Sequence, residues 1–158
     1  MAGDILNKFG TSGQSLTITM AGVVANAGRE STAVDNSSNK WVDAQLVVKI
    51  RTGPSGTSST GMVAIFAYGS VDGGSTYSGN ATGTDGNLTP MNMVQIGSIA
   101  VAANATDYKS AVLSVAAAFG GSLPERWGIA ILNLTGATLD ATGSNFSAKW
   151  QGVAAQYT

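Results

Sequence analysis

The chain has 158 residues, no cysteine, no histidine and a net charge of −1, and only 11% of its residues are charged. Its length predicts one domain. The lack of cysteine excludes disulfides and thiolate-ligated zinc, and the lack of histidine removes the side chain that most general-base chemistry uses, so we expect no cofactor, no metal and no enzymatic activity. The eight basic residues are dispersed, which predicts no nucleic-acid partner. No apolar stretch approaches the roughly 20 residues of a membrane-spanning helix, so no membrane partner is expected either.

The first segment of the chain predicts an extended arm, followed by a single β-sandwich domain over residues 14–158. Residues 1–13 are small and polar apart from Ile5, Leu6 and Phe9. These three side chains are the candidate contacts with a partner, because a short arm of this kind can become ordered when it binds a neighbour. The alternative is an N-terminus that frays in solution.

The next segments alternate between apolar and polar residues, as half-buried strands do. Leu16, Ile18 and Met20 alternate with threonines. The clearest strand covers residues 41–51, where one face is apolar and the other is mostly polar. Its apolar face consists of Val42, Ala44, Leu46, Val48 and Ile50. One wet face and one buried face predict an antiparallel sheet.

The middle of the chain predicts two strands and one long loop. Residues 62–68 are apolar on both faces and residues 93–101 form a further strand-like run, whereas residues 75–90 are rich in Gly, Asn and Thr and predict the longest loop. Asp72 and Asp85 are each followed by glycine. Such a pair offers either oxygen ligands for Ca²⁺ or a tight turn, and the turn is favoured because glycine tolerates positive φ.

The C-terminal part predicts the remaining strands. Residues 111–119 fit a strand or a helix, and a strand through Val115 is favoured because its neighbours are strand-like. Residues 126–134 and 146–157 predict two more strands, with a hairpin turn at residues 133–136. Seven or eight strands separated by turn signals predict an all-β fold, an antiparallel β-sandwich or jelly roll.

Four sequence motifs connect this pattern with a known class of proteins. They are AYGSVDGGSTY (67–77), ANATDYKS (103–110), SVAAAFGGSLPERWGIAILNLTGATLDATGSNF (114–146) and KWQGV (149–153). The succession, a little over half of the chain, resembles small β-rich structural proteins of tailed bacteriophages. The resemblance implies a jelly-roll-like subunit of the virion, made in the host cytoplasm, with a capsid decoration or cement protein as the nearest role.

The same resemblance implies partners but no catalytic residues. The implied partners are other virion proteins, first of all the major capsid protein, and further copies of this chain in a homo-oligomer for which a trimer is one candidate. A surface of Ser, Thr, Asn, Gly and Ala with few charges is poorly protected against association, which agrees with this expectation.

Two other functions fit parts of the sequence. A tail or tail-fibre component, or a carbohydrate-binding module, would use exposed aromatic rings, for which Trp41, Trp127 and Trp150 are the candidates, although tryptophans more often anchor a core or a sheet edge. A lyase or hydrolase would need two carboxylates about 5–10 Å apart. The nine acidic residues are dispersed along the chain, and nothing in the sequence pairs two of them.

Overall fold

A computed structural model describes residues 5–157 and shows two antiparallel β-sheets, which confirms the predicted all-β sandwich. The described residues contain twelve strands and no α-helix. In chain order the strands are β1 (Ile5–Phe9), β2 (Gln14–Ser15), β3 (Gly28–Glu30), β4 (Val34–Asp35), β5 (Asp43–Arg51), β6 (Met62–Ser70), β7 (Gly86–Asn87), β8 (Val94–Ala100), β9 (Asp107–Lys109), β10 (Leu113–Ser114), β11 (Arg126–Leu134) and β12 (Ser147–Tyr157). Six of these strands have only two or three residues, too few to show a period in the sequence.

Each sheet contains six strands that are mostly distant in sequence. Sheet A has the order β1-β12-β5-β10, with β2 also paired to β12 and β9 to β5. Sheet B has the order β7-β3-β11-β6-β8, with β4 also paired to β11. Two short 3₁₀ helices, Ala116–Phe119 and Gly143–Asn145, lie in the connections.

The hairpin predicted at residues 133–136 is wrong, because β11 belongs to sheet B and β12 to sheet A. Asn133 at this point is fully buried, and its side-chain amide donates hydrogen bonds to the carbonyl oxygens of Val23 and Ala137 at 2.9 and 2.8 Å. The buried amide ties the end of β11 to two loops. The chain then crosses to the other sheet instead of folding back.

The core lies between the sheets and is built from the inward residues of the long strands. The predicted apolar face of β5 is confirmed from Ala44 to Ile50, whereas Val42 precedes the strand and is 43% exposed. Trp127 of β11 packs edge-on against Trp150 of β12, with ring centroids 5.2 Å apart, and so joins the two sheets. Burying a large apolar side chain stabilises a fold by about 1.5–3 kcal/mol, so these positions hold the sandwich together.

Two predicted segments differ from the structure. Residues 16–20 are outside any strand, although Leu16 and Met20 are buried as the alternation predicts. The strand favoured at residues 111–115 is reduced to the two residues of β10. The 3₁₀ helix that follows ends at Phe119, and the next residue, Gly120, has a φ of 72°. Apolar periodicity identified which side chains face inward, but it does not reveal whether a neighbouring strand is available for pairing.

The long loop between β6 and β8 covers the part of the outer face of sheet B that contains Glu30 and Tyr68. Glu30 on that face is buried and accepts hydrogen bonds from the backbone of Thr82 and Gly83 in the loop. The ring of Tyr77 from the loop packs edge-on against Tyr68, which is fully buried, and this burial raises the pKa of Tyr68. The outward residues of β5 in sheet A all remain at least partly exposed. The sandwich therefore has a partly covered outer face on sheet B and an open outer face on sheet A.

Candidate interaction site

The three predicted partner-contact residues lie together on β1, an edge strand of sheet A. Ile5, Leu6 and Phe9 are 77%, 52% and 53% exposed. β1 pairs antiparallel with β12, in a register that runs from Ile5 opposite Tyr157 to Phe9 opposite Val153. The segment is extended, as predicted, but within residues 5–9 it is paired with the other end of the described chain. Residues 1–4 of the predicted arm lie outside the described residues.

β1 and the end of β12 form a two-stranded ribbon beyond the start of β5. Within the described residues, β5 pairs with β12 from Ser147 to Val153, and β12 then continues to Tyr157 beside β1 alone. We call β1 and residues 154–157 the terminal ribbon. A two-stranded ribbon is only marginally stable in water, so this element gains from being covered by another surface.

Both faces of the terminal ribbon carry exposed apolar side chains. Trp150 of β12 points into the core, and residues at even positions farther along β12 continue the same face. Leu6 is opposite Gln156 and therefore lies on this core-side face. Ile5 and Phe9 lie on the outer face. A partner that surrounds the ribbon would contact all three.

The base of the terminal ribbon is anchored by close packing around Trp41. The half-buried ring of Trp41 occupies the space that a Cβ atom would need at Gly10 and at Gly152, so a side chain at either position would displace the ring. The amide of Gly10 donates to the carbonyl oxygen of Gly152 at 2.9 Å, and the side-chain amide of Gln151 donates to the carbonyl of Gly10 at 2.8 Å. The ribbon therefore leaves the domain from a defined point.

The tryptophans do not form the exposed platform that a carbohydrate-binding module would use. Trp127 is fully buried and Trp150 is 5% exposed, so neither ring can stack on a sugar. Trp41 is the one tryptophan that is partly exposed, and its ring packs against the base of the ribbon. These positions support the interpretation that the tryptophans anchor the core and the edge of a sheet.

The aspartates with shifted pKa values are held in their ionised form. Hydrogen bonds from Lys49 and then Arg51 to Asp107 hold the pKa of that carboxyl below its usual value, and both ion pairs have a length of 2.9 Å. Burial of Asp85 opposes ionisation, but hydrogen bonds from Arg29 and Thr19 outweigh it and lower the pKa of Asp85. A general acid needs the opposite shift.

The turn predicted at Asp72 is confirmed by its geometry. The Ser70 hydroxyl and the Thr76 amide donate to Oδ1 of Asp72 at 2.6 and 2.9 Å, and Gly73 and Gly74 follow with φ values of 72° and 97°. The hydrogen bond from Ser70, followed by that from Thr76, lowers the pKa of Asp72 to about 2. The carboxylate therefore works as a turn cap.

We expect the replacement Ser70→Ala to raise the pKa of Asp72 from about 2 towards the ordinary value of about 3.9. Because the pKa in the folded state is the lower one, the stabilisation by Asp72 is complete above about pH 4 and is lost as the pH falls towards 2. An NMR titration of the side-chain carboxyl carbons measures the shift, with Asp35 as the internal control. An unchanged pKa of Asp72 in the variant would contradict this assignment.

Comparisons of the chain with protein-family models, with curated proteins and with solved structures found no match. Among residues 5–157, no helix has the length and apolar character needed to cross a membrane. In the same part of the chain, no group of three or more Asp or Glu residues is placed to hold a metal ion. The exposed apolar side chains of the terminal ribbon form the candidate interaction site.

Proposed function

We propose that this chain is a non-enzymatic structural subunit of a tailed-phage virion, a decoration or cement protein that stabilises the head by contacts with the major capsid protein and with further copies of itself. The observation that carries the proposal is the terminal ribbon, which presents Ile5, Leu6 and Phe9 to solvent at an edge of the sandwich. The resemblance of residues 67–153 to small virion proteins is the reason for proposing a phage virion as the assembly that the chain joins.

Physical reasoning supports a contact role for the ribbon. A cement protein binds by burying surface that it shares with its neighbours, and apolar area contributes about 25 cal/mol per Å² when it leaves water. The ribbon carries its apolar side chains on both faces, so it can lie between two partner surfaces. The open face of sheet A is adjacent to the ribbon and enlarges the area that a partner can cover.

The chemistry of the chain supports a role without catalysis. The sequence has no histidine and no cysteine. The carboxyl groups of Asp35, Asp72, Asp85, Asp107 and Asp140 all have lowered pKa values. Carboxylates that stay ionised and hydrogen-bonded stabilise turns and sheet surfaces but donate no proton to a substrate.

The proposal is tested by binding of the purified protein to heads of the encoding phage that lack it. We expect the wild type to co-sediment with the heads. The variant Ile5→Ser/Leu6→Ser/Phe9→Ser should bind roughly 1,000-fold more weakly or worse, because each buried apolar side chain contributes about 1.5–3 kcal/mol. Electron microscopy of the complex distinguishes binding to the head from binding to the tail.

The matched control is Val71→Ser, since Val71 is 89% exposed and lies in the loop after β6, away from the ribbon. This variant should bind as the wild type does. A wild-type protein that remains monomeric and binds no heads would contradict the proposed function. Equal binding by the triple variant would show that the ribbon is not the contact.

A further inference from the structure

We propose that β1 is an exchangeable strand, which pairs with β12 of a second copy of this chain in the same register that it adopts with its own β12. The inference rests on the self-association contained in the proposed function and specifies its geometry. Exchange around a closed ring of subunits gives a symmetric oligomer, and a trimer is one such ring.

Little holds β1 to its own domain. None of its five residues is buried, and within the described chain its one pairing partner is β12. Releasing β1 therefore costs ladder hydrogen bonds but almost no core packing. The same ladder, from Ile5 opposite Tyr157 to Phe9 opposite Val153, forms again when β12 belongs to a neighbour. The local energy is then nearly equal within one chain and between two chains.

The connection between β1 and the domain can act as a hinge. Gly10 is hydrogen-bonded to Gly152 and Gln151 of β12 and moves with β1. The hinge is therefore residues 11–13, Thr-Ser-Gly, in which Gly13 has a φ of 67°. After the hinge, Gln14 and Ser15 pair with β12 and keep the rest of the chain in place. Three extended residues span at most about 11 Å, so the strand can reach only a directly adjacent copy.

Strand exchange fits the position of Lys8 better than direct antiparallel pairing between the β1 strands of two copies. If two β1 strands paired antiparallel about Asn7, the two copies of Lys8 would be diagonal neighbours across the new ladder. Like charges at such positions are unfavourable, and lysine on an edge strand commonly prevents pairing of this kind. Exchange leaves Lys8 opposite Ala154, as it is within one chain.

The absence of native cysteine allows a direct test. Asn7 lies opposite Ala155, and directly opposite residues of an antiparallel pair are about 4.5–5.5 Å apart, within the range of a disulfide. The variants Asn7→Cys and Ala155→Cys are purified separately, unfolded, refolded together and oxidised. Non-reducing electrophoresis then measures the covalent heterodimer.

The matched control uses Gln45→Cys and Gln151→Cys, because these two residues lie opposite each other in β5 and β12 inside the domain. We expect the Asn7 and Ala155 mixture to give at least about tenfold more heterodimer than this control mixture, because pairing brings the two thiols to an effective concentration in the millimolar range. Equal yields from the two mixtures would overturn strand exchange.

The double variant Asn7→Cys/Ala155→Cys separates the possible results. A disulfide that forms only within one chain, with no heterodimer from the mixture, overturns strand exchange, and binding of that protein to heads would leave the capsid role intact. Failure of these cysteines to join in either way also overturns the inference, because the register would then be wrong. A heterodimer that binds no heads supports strand exchange and counts against the capsid role.

Discussion

Replacing Trp127 by alanine is expected to lower the free energy of unfolding by about 3–5 kcal/mol. Trp127 is fully buried, and its ring joins β11 of sheet B to Trp150 of sheet A at a centroid distance of 5.2 Å. Alanine would leave a cavity at the contact between the two sheets. Since domains are typically stable by only 5–15 kcal/mol, the loss is a large share of the total.

Urea unfolding followed by circular dichroism measures the effect of Trp127→Ala, and the midpoint of thermal unfolding should fall by roughly 6–20 °C. The control is Val71→Ala at an 89% exposed position, which should change stability by less than about 0.5 kcal/mol. A loss below about 1.5 kcal/mol in Trp127→Ala would show that the sheets are joined elsewhere in the core.

The replacement Glu30→Ala should destabilise the protein by about 3 kcal/mol and release the loop that covers sheet B. The Glu30 carboxylate is 2% exposed and accepts hydrogen bonds from the Thr82 amide at 2.9 Å, the Thr82 hydroxyl at 2.7 Å and the Gly83 amide at 3.2 Å. Alanine removes the acceptor of all three donors at a partly buried contact. Hydrogen exchange of the Thr82 and Gly83 amides should become faster.

The variant Glu30→Gln keeps one acceptor oxygen and should lose about half as much stability, because hydrogen bonds to a neutral acceptor are weaker than those to a carboxylate. Glu125→Ala, at an exposed position, is the matched control and should leave both amides protected. Unchanged exchange of Thr82 and Gly83 in Glu30→Ala would mean that other contacts hold the loop.

The two faces of the sandwich are used differently. The loop anchored by Glu30 and Tyr68 covers part of the outer face of sheet B with the chain's own residues. The outer face of sheet A and the adjacent terminal ribbon have no such cover within the described residues. This asymmetry agrees with the proposed function, because a decoration subunit needs one self-contained face and one that binds its neighbours.

The sequence by itself determined the fold class and the long strands β5, β6, β8, β11 and β12. Alternation of apolar and polar residues is a local property, so a strand can be recognised by it without knowing which strand lies beside it. The sequence also marked Ile5, Leu6 and Phe9 as the apolar side chains of an N-terminal arm. These predictions depend on side-chain type and spacing alone.

The tertiary structure alone decided which strands are neighbours. The short strands β3, β4 and β9 exist because a longer strand lies beside them, and β1 is held by a strand almost 150 residues later in the chain. The same holds for the crossing of β11 to β12 between the sheets and for the loop closed over Glu30. Hydrogen-bond pairing between distant segments depends on how the whole chain packs. The spacing of residues within one segment therefore does not predict which distant segment will pair with it.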